Sequence, residues 1–118
     1  MNALLLVGLG GAAGSMLRYV VQRSLNTLHF PLGTLAVNIA GGFLIGLLWG
    51  YFTKGSLSES GRALLMSGFC GGFTTFSAFA AENVQLLKDG RLLYFSIYTA
   101  ASVLLGILAT YTGITLFK

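Results

Sequence analysis

The chain has 118 residues, 55% of them hydrophobic and 8% charged, and seven Lys and Arg against three Asp and Glu give a formal net charge of +4. Because soluble domains carry about 25% charged residues, this composition excludes a soluble enzyme, a disordered chain and a disulfide scaffold. The basic residues are dispersed and form no cluster, so no nucleic-acid partner is expected. Cys70 is the single cysteine and has no intrachain disulfide partner. We expect one domain, residues 1–118, embedded in a lipid bilayer.

Charged residues separate four long apolar intervals along the chain. A helix rises about 1.5 Å per residue, so about 20 apolar residues cross a hydrocarbon core about 30 Å thick. The predicted fold class is therefore an all-α membrane protein with four transmembrane helices. We expect these spans at roughly 2–22, 33–53, 61–86 and 92–116. The first interval has no basic residue in front of it, so it is predicted to be a span rather than a cleaved signal peptide.

The basic residues that flank these spans are divided almost evenly between the two sides of the membrane. The first and third connections carry four Lys and Arg, whereas the second connection and Lys118 carry three. Orientation follows a bias in Lys and Arg, and four against three is nearly no bias. We therefore expect the chain to insert in both orientations and to pair as an antiparallel homodimer. The alternative is one orientation set by features other than charge.

Glycines recur at four-residue spacing in three of the predicted spans, and the chain contains 17 of them. Helices associate in membranes through small residues that let two backbones approach closely. The predicted close-packed faces contain Gly10 and Gly14, then Gly42, Gly46 and Gly50, and then Gly68 and Gly72. Four thin helices enclose little interior, so a pathway through the membrane forms more easily between two subunits than within one.

Polar side chains at membrane depth are costly and usually face a cavity or a partner. Arg18 ends the first span and either extends to the interface or offers positive potential to an anion. Asn38, early in the second span, either bonds to a neighbouring helix or donates its amide N–H groups to a passing anion. Thr34 lies one turn before Asn38 on the same face, so the two are candidates for one polar track.

The third span contains the strongest signal, GFCGGFTTFSAFAAE at residues 68–82. Gly71–Gly72 followed by Thr74–Thr75 is a poor helix interior, because Gly costs about 1 kcal/mol against Ala and Thr is β-branched. We expect the helix to break near Gly71–Thr75 and the freed carbonyls to bind a cation. The alternative is an unbroken helix in which the glycine pair only allows close packing.

Four residues of this segment repeat every three positions: Phe73, Phe76, Phe79 and Glu82. Such a stripe is typical of packing, but a phenyl ring is positive around its edge and can meet a small anion there. The hydroxyls of Thr75 and Ser77 flank the rings and can donate hydrogen bonds. Glu82 is predicted to be an interfacial acid paired with a basic side chain.

Hydroxyl-bearing residues also follow a four-residue spacing in the last span, at Tyr98, Ser102 and Thr110, with Gly106 interrupting the series. This spacing aligns the hydroxyls down one helical face. The alternative is that they bond to the backbone of their own helix, as Ser and Thr often do.

Three segments, GGAAGSMLRY, GTLAVNIAGG and GFCGGFTTFSAFAAE, resemble in sequence and in order those of the Fluc (CrcB) fluoride channels. The resemblance covers nearly the whole chain. It implies a dual-topology homodimer in the cell inner membrane, with two antiparallel fluoride pores built from both subunits. It also implies passive, electrogenic fluoride export that protects the cell from fluoride toxicity, and no enzymatic activity.

The resemblance assigns roles to individual positions. Asn38 is implied to line the pore, Phe76 and Phe79 to face fluoride with their ring edges, and the carbonyls of Gly71 and Thr74 to bind a structural sodium ion at the dimer axis. The residues expected along the fluoride pore are Asn38, Phe76, Phe79, Thr75, Ser77, Tyr98, Ser102, Thr110, Arg18, Thr34 and Glu82.

Two other classes remain open. A small dual-topology multidrug/proton antiporter has a similar length and span number, but it needs a carboxylate inside the membrane. Here the first span has no acid, and Glu82 lies at the end of the third. A passive accessory subunit without transport is the other alternative, and the clustered polar residues argue against it.

Overall fold

The computed structural model describes residues 2–27 and 29–116, where regular structure is helical apart from an isolated bridge between Asn26 and Pro31. The third membrane crossing, Glu59–Lys88, is composite, whereas the other three are single helices. The elements in chain order are α1 (Ala3–Leu25), α2 (Leu32–Thr53), α3 (Glu59–Gly61), a π-helix (Arg62–Cys70), α4 (Gly71–Phe73), α5 (Phe76–Lys88) and α6 (Leu92–Thr115).

All four crossings are long and apolar enough for a membrane, with 22 to 30 residues each. They confirm the predicted all-α fold with four spans, and the bounds differ by a few residues; α1, for example, ends at Leu25 rather than at residue 22. Large apolar side chains cover the outside of the helices, with Leu4 76% and Leu93 70% exposed. A surface of this kind is suited to lipid or to a protein partner. The chain is a multi-pass membrane protein.

The third crossing breaks at Thr74 and Thr75, which confirms the predicted break. Both residues have extended backbones, with φ −90° and ψ 159° at Thr74 and φ −152° and ψ 119° at Thr75. Gly71–Phe73 stays helical, so the break follows the glycine pair instead of lying within it. A new helix starts after the break because the Thr75 hydroxyl caps α5 and accepts a hydrogen bond from Ala78 N at 3.2 Å.

Glycines set the closest helix contacts. Helix α1 lies against the π-helix and α4, and a Cβ built on Gly14 would overlap the carbonyl of Phe69. Helix α2 lies against α6, where a Cβ on Gly46 would overlap the carbonyl of Thr110. This confirms the predicted packing role of these two glycines. The two helix pairs hold the break in the third crossing beside α2 and α6.

Candidate functional site

A cavity of about 720 Å³ lies beside the break, between α2, α5 and α6. Its polar and aromatic lining residues are Asn38, Thr74, Thr75, Ser102, Thr110, Phe76, Phe79 and Tyr111. The other described residues that line it are glycine or aliphatic, so none of the described lining is charged. Phe76 is 79% exposed, which leaves the cavity open beside the start of α5. An occupant would therefore meet neutral donors and aromatic rings.

The side chain of Asn38 restores the backbone hydrogen bonding that the break removes. Asn38 Oδ1 accepts from Thr75 N at 2.8 Å, and Asn38 Nδ2 donates to Thr75 O at 3.2 Å. Of the two alternatives for Asn38, the bond to a neighbouring helix is thus present. The amide carries a second N–H and the residue lines the cavity, so donation to a ligand remains open to it.

The hydroxyls of Thr75 and Ser77 lie 3.2 Å apart at the start of α5. Thr75 Oγ1 already accepts the Ala78 N–H, so its own hydrogen is free for Ser77 or for the cavity. Thr75 lines the cavity, whereas Ser77 is exposed and lies outside the lining. The two residues therefore form a pair of which one member faces the cavity.

The rings of Phe76 and Phe79 lie side by side on α5 and both line the cavity, with centroids 5.8 Å apart. Phe79 also contacts Tyr98 of α6 at 5.2 Å between centroids. Phe73 does not continue the stripe: it precedes the break, is buried and stacks on Phe69 at 5.5 Å. The three-residue repeat fails at Phe73 because the extended backbone at the break redirects the helix.

The three α6 residues of the predicted hydroxyl series have different surroundings. Ser102 Oγ is buried at the cavity and has no hydrogen-bond partner among the described residues. Thr110 also lines the cavity, but its Oγ1 lies 2.9 Å from Gly42 O and 3.0 Å from Gly106 O and donates to backbone. Tyr98 is fully buried and lies outside the cavity lining. Ser102 alone of the three presents an unpaired hydroxyl to the cavity.

Glu82 is bound by three neutral donors. Tyr98 Oη donates to Oε1 at 2.8 Å, Thr34 Oγ1 donates to Oε2 at 2.8 Å, and Asn26 Nδ2 donates to Oε2 at 3.2 Å. The expected basic partner is therefore absent: the ion pair within residues 2–27 and 29–116 is Arg62–Glu59. Thr34 is fully buried in this cluster and does not line the cavity with Asn38, so the two do not share a track there.

Gln22 and Asn26, which belong to none of the sequence motifs, complete the Glu82 cluster. Gln22 Nε2 donates to Thr34 Oγ1 at 3.0 Å. Asn26 Oδ1 accepts from Gly33 N at 2.6 Å and from Thr34 N at 3.1 Å, which caps the start of α2. The available signal was the four-residue spacing of the two amides on one face at the end of α1.

Arg18 is half-buried and bonded within the protein. Its Nε donates to Gly72 O at 2.9 Å, and its Nη1 donates to Gln22 Oε1 at 3.3 Å. Ser15 Oγ lies 3.4 Å from the same Gly72 oxygen. Arg18 does not line the cavity. The guanidinium therefore contacts the backbone of α4. Neither of the predicted roles of Arg18, extension to the membrane interface or attraction of an anion, includes this contact.

Two carbonyls at the break lose the donors that a continuous helix would give them. Thr75 N, the helical partner of Gly71 O, donates to Asn38 instead. Ala78 N, the helical partner of Thr74 O, donates to the Thr75 hydroxyl. No group of three His, Cys, Asp or Glu that could bind a metal occurs among the described residues. Freed carbonyls are suitable ligands for an alkali-metal cation, so Gly71 and Thr74 fit the implied sodium site.

Comparison with known proteins agrees with these observations. The family model described as "CrcB-like protein, Camphor Resistance (CrcB)" matches residues 5–114. A protein of Flavobacterium psychrophilum named "Fluoride-specific ion channel FluC" is 43% identical, over 100% of this chain and 98% of its own length. Relatives of the same name from Phocaeicola vulgatus and Chlorobium phaeobacteroides are 46% and 48% identical, over 97% and 98% of this chain and 97% and 93% of their own lengths. The chain belongs to the CrcB family.

Proposed function

We propose that this protein is a fluoride-selective channel that allows passive, electrogenic fluoride export. The relatives reported above are named fluoride-specific ion channels and align with this chain over 93% to 98% of their own lengths. The observation in the structure that supports it best is Ser102: a buried, unpaired hydroxyl beside a cavity whose described lining is uncharged. An unpaired buried polar group is costly, which is consistent with a passing ligand as its partner.

Neutral donors suit fluoride because this ion is small and strongly hydrated. A pore must replace its water with donors at short range, yet conduction requires that binding remain weak enough for release. Ser102 Oγ, the second N–H of Asn38 and the hydroxyl of Thr75 supply such donors without a full positive charge. The ring edges of Phe76 and Phe79 add positive potential of the same moderate strength.

The membrane potential supplies the driving force. A cell interior that is negative by about 100 mV favours the exit of one negative charge by about 2.3 kcal/mol. A channel in the cell inner membrane therefore exports fluoride without a pump. Its benefit to the cell is protection from a toxic anion that enters as its neutral acid.

The functional form we propose is an antiparallel homodimer with two pores built from both copies. The cavity is open beside Phe76, which is 79% exposed in a single chain, so one chain leaves the pathway without a wall. The even distribution of Lys and Arg supports insertion in both orientations. A cysteine introduced after residue 118 and labelled from one side of intact cells tests this: half of the copies should react. Complete or absent labelling contradicts dual topology.

We also propose that Gly71 O and Thr74 O of each copy bind one sodium ion on the dimer axis. When bound, the ion would be a partner for carbonyl oxygens whose helical donors bond elsewhere. Gly71 is on the exposed side of α4 and a Cβ there would meet no atom within 4 Å, so a second copy has access to it. The ion would join the two copies through backbone alone.

Expression in bacteria that lack a fluoride exporter tests the proposed function. Growth in fluoride should be restored by this chain, and growth in cationic drugs should be unchanged. Resistance to the drugs without resistance to fluoride would support the antiporter alternative. Resistance to neither fluoride nor the drugs would indicate an accessory subunit and contradict the proposal.

A further inference from the structure

The guanidinium of Arg18 binds the carbonyl that lies in the chain between the two proposed sodium ligands. Its Nε donates to Gly72 O at 2.9 Å, between Gly71 and Thr74. In a continuous helix Gly72 O would accept from Phe76 N, but Phe76 begins a new helix after the extended segment. Arg18 therefore occupies an acceptor that the break has left without its helical donor.

This contact acts on the last turn before the break. Helix α4 continues from the π-helix without interruption, since Gly71 N bonds to Met66 O and Gly68 O, and it ends at the extended residues Thr74 and Thr75. A hydrogen bond from a charged donor is roughly twice as strong as a neutral one. Ser15 Oγ, at 3.4 Å from Gly72 O, is a longer and weaker second contact from α1. Of the two side-chain contacts to Gly72 O, that of Arg18 is therefore the stronger.

We infer that Arg18 is a positioning residue for the cation site: its Nε–H binds Gly72 O, orients α4 and leaves Gly71 O and Thr74 O to the ion. The inference rests on the sodium site proposed above. It differs from a role as a positive charge for anions, because Arg18 does not line the cavity and its Nε and Nη1 are bonded to Gly72 and Gln22.

Two substitutions separate the donor from the charge. Arg18→Gln places an amide nitrogen at the same number of bonds from Cα as Nε, so it retains the donor and loses the charge. Arg18→Lys retains the charge and moves the nitrogen one bond further, beyond Gly72 O. Arg23→Gln is the matched control, because Arg23 is exposed on the same helix and its Nη1 donates to Tyr19 Oη instead of to the break.

The measurement is fluoride flux from vesicles as a function of sodium concentration. Each protein is purified and reconstituted with N-methylglucamine as the cation, and sodium is added back at graded concentrations before flux begins. Dimer content is checked by gel filtration for each variant. The wild type must lose flux when sodium is removed; if it does not, the proposed sodium site itself is wrong, and this inference is overturned with it.

With a sodium-dependent wild type, Arg18→Lys should need about tenfold more sodium for half-maximal flux, the change expected from losing one charge-assisted hydrogen bond. Arg18→Gln retains a weaker, neutral donor and should shift this sodium requirement by less than Arg18→Lys does, and Arg23→Gln should retain the sodium dependence of the wild type. Unchanged sodium dependence in Arg18→Lys, or an equal or larger shift in Arg18→Gln, would overturn the positioning role while leaving the sodium site in place.

Discussion

Asn38 takes the place of a helical neighbour for Thr75: its side-chain amide lies 2.8 Å from Thr75 N and 3.2 Å from Thr75 O and makes both bonds. An unpaired backbone group costs about as much as a lost hydrogen bond, and no water replaces the partner within lipid. The break in the third crossing is therefore stable because α2 supplies the missing partner. Since Asn38 also lines the cavity, the break and the cavity depend on one residue.

Replacing Asn38 with Asp retains the shape of the side chain, removes its N–H donors and adds a negative charge. The carboxylate would face Thr75 O without a hydrogen and would repel an anion in the cavity. We expect fluoride flux from vesicles to fall by about a hundredfold or more, since losses of about 1–3 kcal/mol arise from each effect. Asn2→Asp is the control, because Asn2 only caps α1. Flux at the wild-type rate in Asn38→Asp would restrict Asn38 to a structural role.

Replacing Phe79 with Ile retains an apolar side chain of moderate bulk but removes the positive ring edge. We expect slow or absent fluoride flux without loss of folded protein, because the ring lines the cavity. Phe95→Ile makes the same change on α6 outside the cavity lining and should leave the flux unaltered. Flux should be compared at equal dimer content. An unaltered rate in Phe79→Ile would exclude the ring from the conduction pathway.

Ser102→Ala should separate stability from conduction. Its hydroxyl is buried and has no partner among the described residues, so its removal should leave the free energy of unfolding unchanged or raise it by up to about 1 kcal/mol. The thermal midpoint should accordingly stay the same or rise. Fluoride flux should decrease, because the cavity loses a donor. Ser96→Ala is a control, since Ser96 Oγ donates to Leu92 O and faces outward. A Ser102→Ala variant that conducts normally would remove this hydroxyl from the pathway.

The Glu82 cluster should behave as one unit in a double-mutant cycle. Glu82→Met and Tyr98→Phe each remove the 2.8 Å bond between Tyr98 Oη and Glu82 Oε1, while Tyr98→Phe retains the ring against Phe79. We expect each change to destabilise the folded protein by about 1–3 kcal/mol and the double variant to lose clearly less than the sum. Thermal unfolding in detergent measures this. Additive losses would mean that the bond does not couple the two residues.

Gly14→Ala should destabilise the fold, whereas Gly8→Ala should not. A Cβ on Gly14 would overlap the Phe69 carbonyl, and a Cβ on Gly8 meets no atom within 4 Å. Overpacking of this kind costs about 1–3 kcal/mol, and the rigid backbone at this contact places Gly14 at the upper end. Yield of folded dimer and thermal midpoint report the effect. Equal behaviour of the two variants would contradict the close approach of α1 and the third crossing.

The sequence was sufficient for the elements that depend on local chemistry. Apolar length predicts the four crossings, and the Gly and Thr run predicts the break, because both signals lie within one segment. The exact place of the break was not predictable: Gly71–Phe73 stays helical, and the extended residues are Thr74 and Thr75. That outcome depends on Asn38, which is distant in sequence.

The contacts of polar residues were the part that the sequence could not supply. The sequence predicts that Glu82 pairs with a basic side chain. In the structure it instead accepts hydrogen bonds from Asn26, Thr34 and Tyr98, which lie in three other segments. Phe73 followed the spacing of Phe79 but lies on the other side of the break. Such partners are determined by how the helices pack, and four-residue spacing within one helix contains no information about them.

Selective and electrogenic conduction of fluoride can be measured in vesicles that contain purified protein and are loaded with potassium fluoride or potassium chloride. Ion-selective electrodes follow the release of each anion with and without a potassium ionophore. We expect rapid fluoride release that requires the ionophore, and retention of chloride inside the vesicles. Chloride release at the rate of fluoride, or no fluoride release with the ionophore present, would contradict it.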